Sequence, residues 1–319
     1  MTRPTAYSFT RYLAAKKNLD DRSLNRQVWD RLRQAVPERP EPAPLRVLEV
    51  GCGIGTMIER LLDWGLLGQA VYTAIDAEAA NLAAARERLR GLAAAPDAAP
   101  PDAAAPGAAG AAPTGPGPLL IQSETRKVLV ELETIDLCHF AAREQGRASW
   151  DLLIAHAFLD LLDLPAALPP MFSLLRPGGL FYFTLNFDGA TILEPVIDPH
   201  LDRQIETLYH GTMDQRRLAG QPGGDSRTGR RLFGHLKAAG ARVLAAGSSD
   251  WVVFPGEEGY PGDEAYFLHF IIETMRRALE AHPQMDPQRL RDWIEVRHRQ
   301  IEAGKLIYIA HQLDFSGYI

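Results

Sequence analysis

Leu24, Val28 and Leu32 recur at four-residue spacing, which marks an amphipathic helix. Asp20 or Asp21 stands where its N-cap is expected, and Pro37 lies beyond its end. A shorter helix is expected around Thr10 to Lys17. From Leu45 the pattern shifts. L-R-V-L-E-V (45–50) reads as a short apolar strand, G-C-G-I-G-T (51–56) as a glycine-rich turn, and Met57, Leu61 and Leu62 restore a helical period up to Gly65. V-Y-T-A-I-D (71–76) is a second strand, and the alanine-rich run behind it is a helix of high propensity. Strand, turn, helix, strand, helix is the βαβ pattern of a parallel sheet.

The pattern stops at residues 93–118, where 12 Ala, 7 Pro and 4 Gly leave two charges and no aromatic. Such a segment cannot bury enough surface to offset its ordering entropy, and its prolines interrupt any helix. It reads as a disordered surface insertion, because the sheet pattern resumes behind it. K-V-L-V-E-L-E-T and W-D-L-L-I-A-H-A are strands; a helix from Pro165 to Leu175 stops at R-P-G-G (176–179), and L-F-Y-F-T-L-N-F is a buried strand. Residues 188–227 are polar and turn-rich, with one helix from Pro199 to Tyr209. A helix closed by Gly240, a strand through Ala241 to Val253, helices at Glu264–Ala281 and Pro287–Glu302, and a last strand complete about seven strands. The fold class expected is α/β, with a doubly wound, mostly parallel sheet.

Composition narrows the function. The 319 residues carry 34 Lys+Arg against 40 Asp+Glu, a net charge of −6. A general nucleic-acid binder would show a basic excess, so no nucleic-acid partner is expected. No apolar stretch approaches a bilayer span, and residues 1–20 contain no apolar h-region, so neither a membrane partner nor a secretory signal is expected. Cys52 and Cys138 cannot build a disulfide framework, and no His/Asp/Glu cluster has metal-ligand spacing. The expected location is the cytoplasm, and no metal is expected.

The candidate chemistry starts at Glu49-x-Gly51-x-Gly53-x-Gly55, between a strand and a helix. Glycine there lets the chain turn sharply and lets a ligand approach the main chain with no Cβ in the way. A dinucleotide turn would read GxGxxG, but Thr56 stands where its third glycine belongs. Glu49, two positions before the first glycine, would repel a pyrophosphate and could support a cationic ligand. Cys52 suits a small packing position in the turn.

V-L-E-V-G-C-G-I-G resembles the first motif of class I S-adenosylmethionine-dependent methyltransferases. The resemblance covers roughly residues 40–319 and implies a Rossmann-like fold of seven strands, the last one antiparallel. It implies S-adenosylmethionine as cofactor, held by Glu49, Gly51, Cys52, Gly53, Gly55, Asp76, Ala77, Asp136, Leu137 and His156. Asp76 would accept hydrogen bonds from both ribose hydroxyls, though a strand-end Asp could equally cap the alanine-rich helix. Asp136 would meet the adenine amine, with Leu137 beside the ring. A-H-A-F-L-D (155–160) resembles the loop beneath the methionine part.

The implied reaction is in-line displacement at a sulfonium methyl, which needs a base only if the acceptor loses a proton. His156 and His210 are the candidate bases. Residues 1–40 resemble a helical lid over a methyltransferase domain at 41–319, and 188–227 reads as a substrate cap. Tyr12, Asp160, Asn186, Tyr209 and His210 are the candidate acceptor contacts, for a small polar molecule. The methylated atom, the acceptor and homodimerisation are left open. The competing expectations are an NAD(P)-dependent Rossmann oxidoreductase and a non-catalytic S-adenosylmethionine-binding module.

Overall fold

A computed structural model of the chain describes residues 3–36, 43–94, 117–218 and 221–319. Its elements begin with α1 (Phe9–Ala15), α2 (Lys17–Ser23), α3 (Arg26–Ala35), β1 (Leu45–Val50), α4 (Thr56–Asp63), β2 (Gln69–Asp76) and α5 (Ala79–Ala94). Next come β3 (Leu119–Gln122), β4 (Lys127–Thr134), α6 (Leu137–Glu144), β5 (Trp150–His156), a 3-10 turn (Leu159–Leu161), α7 (Leu164–Ser173) and β6 (Leu175–Glu194). The chain continues with α8 (Pro199–Asp214), β7 (Arg217–Leu218), β8 (Gln221–Pro222), α9 (Thr228–Ala238), β9 (Arg242–Ser248) and β10 (Trp251–Val253). It closes with α10 (Glu264–Leu279), α11 (Pro287–Glu302) and β11 (Ile307–Tyr318). The expected insertion at 93–118 falls outside the described residues from 95 to 116.

The chain divides into two compact units. The glycine-turn unit comprises Arg33–Ala155, Pro170–Phe181 and Ile319; the flanking unit comprises Met1–Leu32, His156–Pro169 and Tyr182–Tyr318.

In the glycine-turn unit β1 pairs in parallel with β2 and β5, and β2 with β4. The strand order is β5-β1-β2-β4-β3, with β3 antiparallel at the edge. Strands covered on both faces read as apolar runs, and β1 and β5 are buried almost throughout. Met57, Ile58 and Leu61 of α4 and Leu82, Ala85 and Leu89 of α5 are all buried in the core. The turn between β1 and α4 depends on glycine at one position above all. Gly55 has φ +77°, and a Cβ there would lie 3.3 Å from the Ala85 Cβ in α5. Gly55→Ala is expected to cost about 1–2 kcal/mol from the left-handed backbone alone, read as a lower urea midpoint. An unchanged midpoint would show that the turn relaxes freely.

In the flanking unit β11 pairs antiparallel with β9 and β10 and lies beside β6. The last strand is therefore antiparallel, as the family resemblance implies. Eleven strands form among the described residues, against about seven expected. β3, β7 and β8 are short, and the expected strand at 241–253 is split into β9 and β10. β6 also runs on through F-D-G-A-T-I-L-E to Glu194, inside the segment expected to be turn-rich, and α8 extends to Asp214.

One cap is corrected. The helix carrying Val28 and Leu32 begins at Arg26, and Asn25 Oδ1 accepts from the Val28 amide at 3.1 Å. Asp20 and Asp21 lie in α2 instead, and the Asp20 carboxylate is buried in a hydrogen-bond network.

Candidate functional site

Glu49 and Asp76 stand at or next to the carboxyl ends of adjacent parallel strands, β1 and β2, and Asp136 follows β4, the next strand. The connecting turn is left-handed at Gly51, Gly53 and Gly55, with φ of 67°, 54° and 77°. The Gly53 amide donates to Asp76 Oδ2 at 2.8 Å, and the Cys52 amide donates to the Ile75 carbonyl at 3.0 Å. Asp76 Oδ1 accepts from the Glu78 amide at 2.8 Å and from Asn81 Nδ2 at 3.2 Å. The carboxylate therefore ties the glycine turn to the start of α5. The helix-start role weighed for Asp76 from the sequence is thus present, together with a bond to the glycine turn that the sequence did not announce.

Asp136 caps α6: its carboxylate accepts from the His139 amide at 3.0 Å and contacts the His139 ring. These hydrogen bonds hold its carboxyl below the usual range. The Ile135 amide donates to the Asp76 carbonyl at 3.0 Å, so the two strand ends are locked in register. Leu137 is buried and Ala77 exposed. Cys52 is buried, and burial, with Glu49 and Asp76 nearby, pushes its thiol well up. That fits a packing residue and not a nucleophile.

Glu49 is buried and accepts from the Tyr72 hydroxyl at 2.8 Å. Burial pushes its carboxyl up to about 8, while the Tyr72 bond and Arg60 pull it down. An unfolded chain releases this proton near 4.5, and the folded protein holds it to about 8. Stability of the unliganded protein should therefore fall as pH rises through that window, by at most about 1.4 kcal/mol per pH unit. Urea unfolding at pH 5.5 and pH 8 tests this, and Glu49→Gln should flatten the Glu49 contribution to the slope. Identical slopes for the two proteins would contradict it.

The flanking unit holds the other candidates. His156 is buried, and both ring nitrogens are engaged: Nδ1 with Thr184 Oγ1 at 2.8 Å and Nε2 with Asp20 Oδ2 at 3.1 Å. The expected base role would require one of these bonds to open. Asp20, 1% exposed, also accepts from Lys16 Nζ at 2.7 Å and from Trp251 Nε1 at 2.9 Å. The sequence missed this network, although Lys16 and Asp20 stand at the i, i+4 spacing of a helical ion pair. Next to it the backbone is strained. Ala157 and Leu185 have φ of 50° and 54°, a conformation that non-glycine residues avoid and that clusters at functional sites. The Ala157 amide donates to the Thr184 carbonyl at 2.8 Å, and the Leu185 amide to Asp314 Oδ1 at 2.7 Å.

Tyr12, Asp160 and Tyr209 come together. Burial raises the Asp160 carboxyl, opposed by Arg216 and Lys16. Burial pushes the Tyr209 hydroxyl up to about 12, with Arg216 opposing and Asp160 adding. Tyr12 is raised by burial and then by Tyr308, Asp20, Tyr209 and Asp160. Its ring stacks on Phe270 at 4.3 Å and on Phe267 at 5.6 Å, and Tyr308 meets Phe267 edge-on at 5.8 Å. Tyr308 was not anticipated, because nothing in the alternation of a last strand marks it.

Among the described residues Asn186 and His210 do not join this cluster through any hydrogen bond. Asn186 is fully buried and donates from Nδ2 to the Leu313 carbonyl at 2.8 Å, bracing β6 against β11. His210 bonds Thr191 Oγ1 through Nε2 at 3.0 Å and meets the Phe187 ring edge-on. Burial lowers its pKa, against Glu206 and Asp214. A cavity of about 440 Å³, lined by Arg46, Thr73, Glu131, Phe140, Arg143 and Trp150 among others, touches neither the glycine turn nor Asp76.

Comparison with known proteins adds the following. A family model described as a methyltransferase domain matches residues 21–215. No curated protein matches the chain. Among solved structures, it is similar to a provisionally assigned type II methyltransferase from Anaeromyxobacter dehalogenans, at 15% identity and a TM-score of 0.47, covering 92% of this chain and 96% of that one. It is similar to the Haemonchus contortus phosphoethanolamine N-methyltransferase 2, at 14% identity and a TM-score of 0.44. That match covers 99% of this chain and 61% of the other. It is also similar to the geranyl diphosphate C-methyltransferase of Streptomyces coelicolor, at 10% identity and a TM-score of 0.42, covering 92% and 75%.

Proposed function

Because the chain belongs to the methyltransferase-domain family, we propose that it transfers the methyl group of S-adenosylmethionine to a small-molecule acceptor by in-line displacement. One arrangement carries this function: the Gly53 amide and the Asp76 carboxylate held together where β1 and β2 end. The residues fit the cofactor. Three left-handed glycines leave positions 51, 53 and 55 of the turn without side chains, and half-exposed carboxylates stand at two neighbouring strand ends. Bound there, the cofactor supplies an electrophilic methyl on a positively charged sulfur.

The chain's own residues bind and orient. Asp76 accepts from the ribose hydroxyls, giving charge-assisted bonds of about 1.5–3 kcal/mol each. Asp136 and Leu137 meet the adenine, and the Gly51–Gly55 turn admits the methionine part to the main chain. Glu49 braces β1 through Tyr72. Aligning the acceptor and excluding water can supply roughly 7–11 kcal/mol of the barrier. We assign these tasks to residues 1–40 as a lid and 188–227 as a cap. His156 serves as a brace that orders Asp20 and Thr184.

We propose a small molecule as its partner and the cytoplasm as its location. No helix among the described residues is long and apolar enough to cross a membrane. Calorimetry with S-adenosylhomocysteine and with NADH tests the proposal. Heat with the first and none with the second is expected. The reverse pattern would favour the oxidoreductase alternative and end the proposal.

A further inference from the structure

Resting on the methyl-transfer function above, we propose that the acceptor is a small amino carboxylate, bound as a zwitterion with its carboxylate on Arg216 and its ammonium on Asp160. All the groups involved lie in the flanking unit. Asp160 is in the 3-10 turn after β5, and Arg216 immediately precedes β7. Their main chains are clamped together. The Asp225 amide donates to the Asp160 carbonyl at 3.3 Å, and the Gly223 amide to the Arg216 carbonyl at 2.9 Å. Between them Gly224, with φ +101°, leaves no room: a Cβ there would lie 2.9 Å from the Asp160 carbonyl and 3.5 Å from Arg216 Nη1.

The two charged ends feel each other electrostatically, yet among the described residues neither side chain closes a salt bridge. Among the described residues Arg216 makes no side-chain hydrogen bond, and the hydroxyls of Tyr12, Tyr209 and Tyr308 make none either. The cluster thus presents a cation, an anion and three hydroxyls that still have hydrogen-bonding capacity. The neighbouring charges are already matched, since Lys16 and Asp20 form a buried pair at 2.7 Å.

Charge balance selects the ligand. A simple anion on Arg216 would shut Asp160 away from water with no partner, and a simple cation on Asp160 would do the same to Arg216. Both residues are half-buried, and a charge that loses water without gaining a partner is destabilising. A zwitterion satisfies both at once. The guanidinium fork matches a carboxylate in two-bond geometry, and tyrosine faces and hydroxyls suit an ammonium beside Asp160.

The test is ligand-observed NMR on the full chain saturated with S-adenosylhomocysteine. The probes are the common amino acids, each set beside its decarboxylated amine and its deaminated acid. At least one amino acid should bind tenfold or more tightly than both of its single-charge counterparts. Arg216→Gln and Asp160→Asn should each weaken it tenfold or more, with Arg216→Lys intermediate, while an unchanged urea unfolding midpoint serves as the check on folding. Amines or acids binding as well as amino acids, no amino acid binding, or variants without effect would overturn the proposal. Absence of S-adenosylhomocysteine binding by the unmodified chain would overturn the methyl-transfer function itself, so the two failures are distinguishable.

Discussion

Replacing Asp76 by alanine is expected to weaken S-adenosylhomocysteine binding by about two orders of magnitude. Two charge-assisted hydrogen bonds to ribose hydroxyls, at roughly 1.5 kcal/mol or more each, account for that loss. The substitution has a second effect. The same carboxylate accepts from the Gly53 amide, the Glu78 amide and Asn81 in the unliganded protein, so the glycine turn loses its tie to α5. A lower melting temperature should accompany the weaker binding. Asp76→Asn keeps one acceptor oxygen and should fall between wild type and alanine in both measurements. Calorimetry on folded protein decides the matter, and a loss below about fivefold would remove Asp76 from the cofactor site.

The largest stability effect is expected at Asp20. Its carboxylate serves three buried donors at once: Lys16, Trp251 and His156. Asp20→Ala would leave the Lys16 ammonium buried with its carboxylate gone, and removing one partner of a buried pair typically costs about 3–5 kcal/mol. For a protein of this size the melting temperature should fall by on the order of 10 °C. Replacing both partners, as Lys16→Met with Asp20→Leu, should recover part of the loss, because no charge is then stranded. A double variant as unstable as Asp20→Ala would show that the network contributes through its shape and not its charge.

Local pattern made the glycine-turn unit readable. β1, the turn, α4, β2 and α5 follow one another with short connections, and each carries its own periodicity. The glycines at 51, 53 and 55 announce a left-handed turn because few other residues tolerate it. Asp76 and Asp136 were picked out by the family resemblance, which places acidic residues at these strand ends. The network around Asp20 was legible only as a pair, Lys16 and Asp20, one helical turn apart. Its other members, His156, Thr184 and Trp251, come from segments far along the chain. The hidden length of β6 has another cause: F-D-G-A-T-I-L-E mixes polar and small residues, so no alternation marks it as strand.

The sequence alone determined the parallel βαβ core, the glycine turn and the carboxylates at its strand ends, since each depends on neighbours within a few residues. Tertiary structure alone decided what the distant polar side chains do. It bonded His156 to Asp20 and Thr184, sent Asn186 to β11 and His210 to Thr191, and brought Arg216 beside Asp160. Hydrogen-bond partners for buried polar groups are chosen by packing across the fold, and spacing along the chain does not encode them.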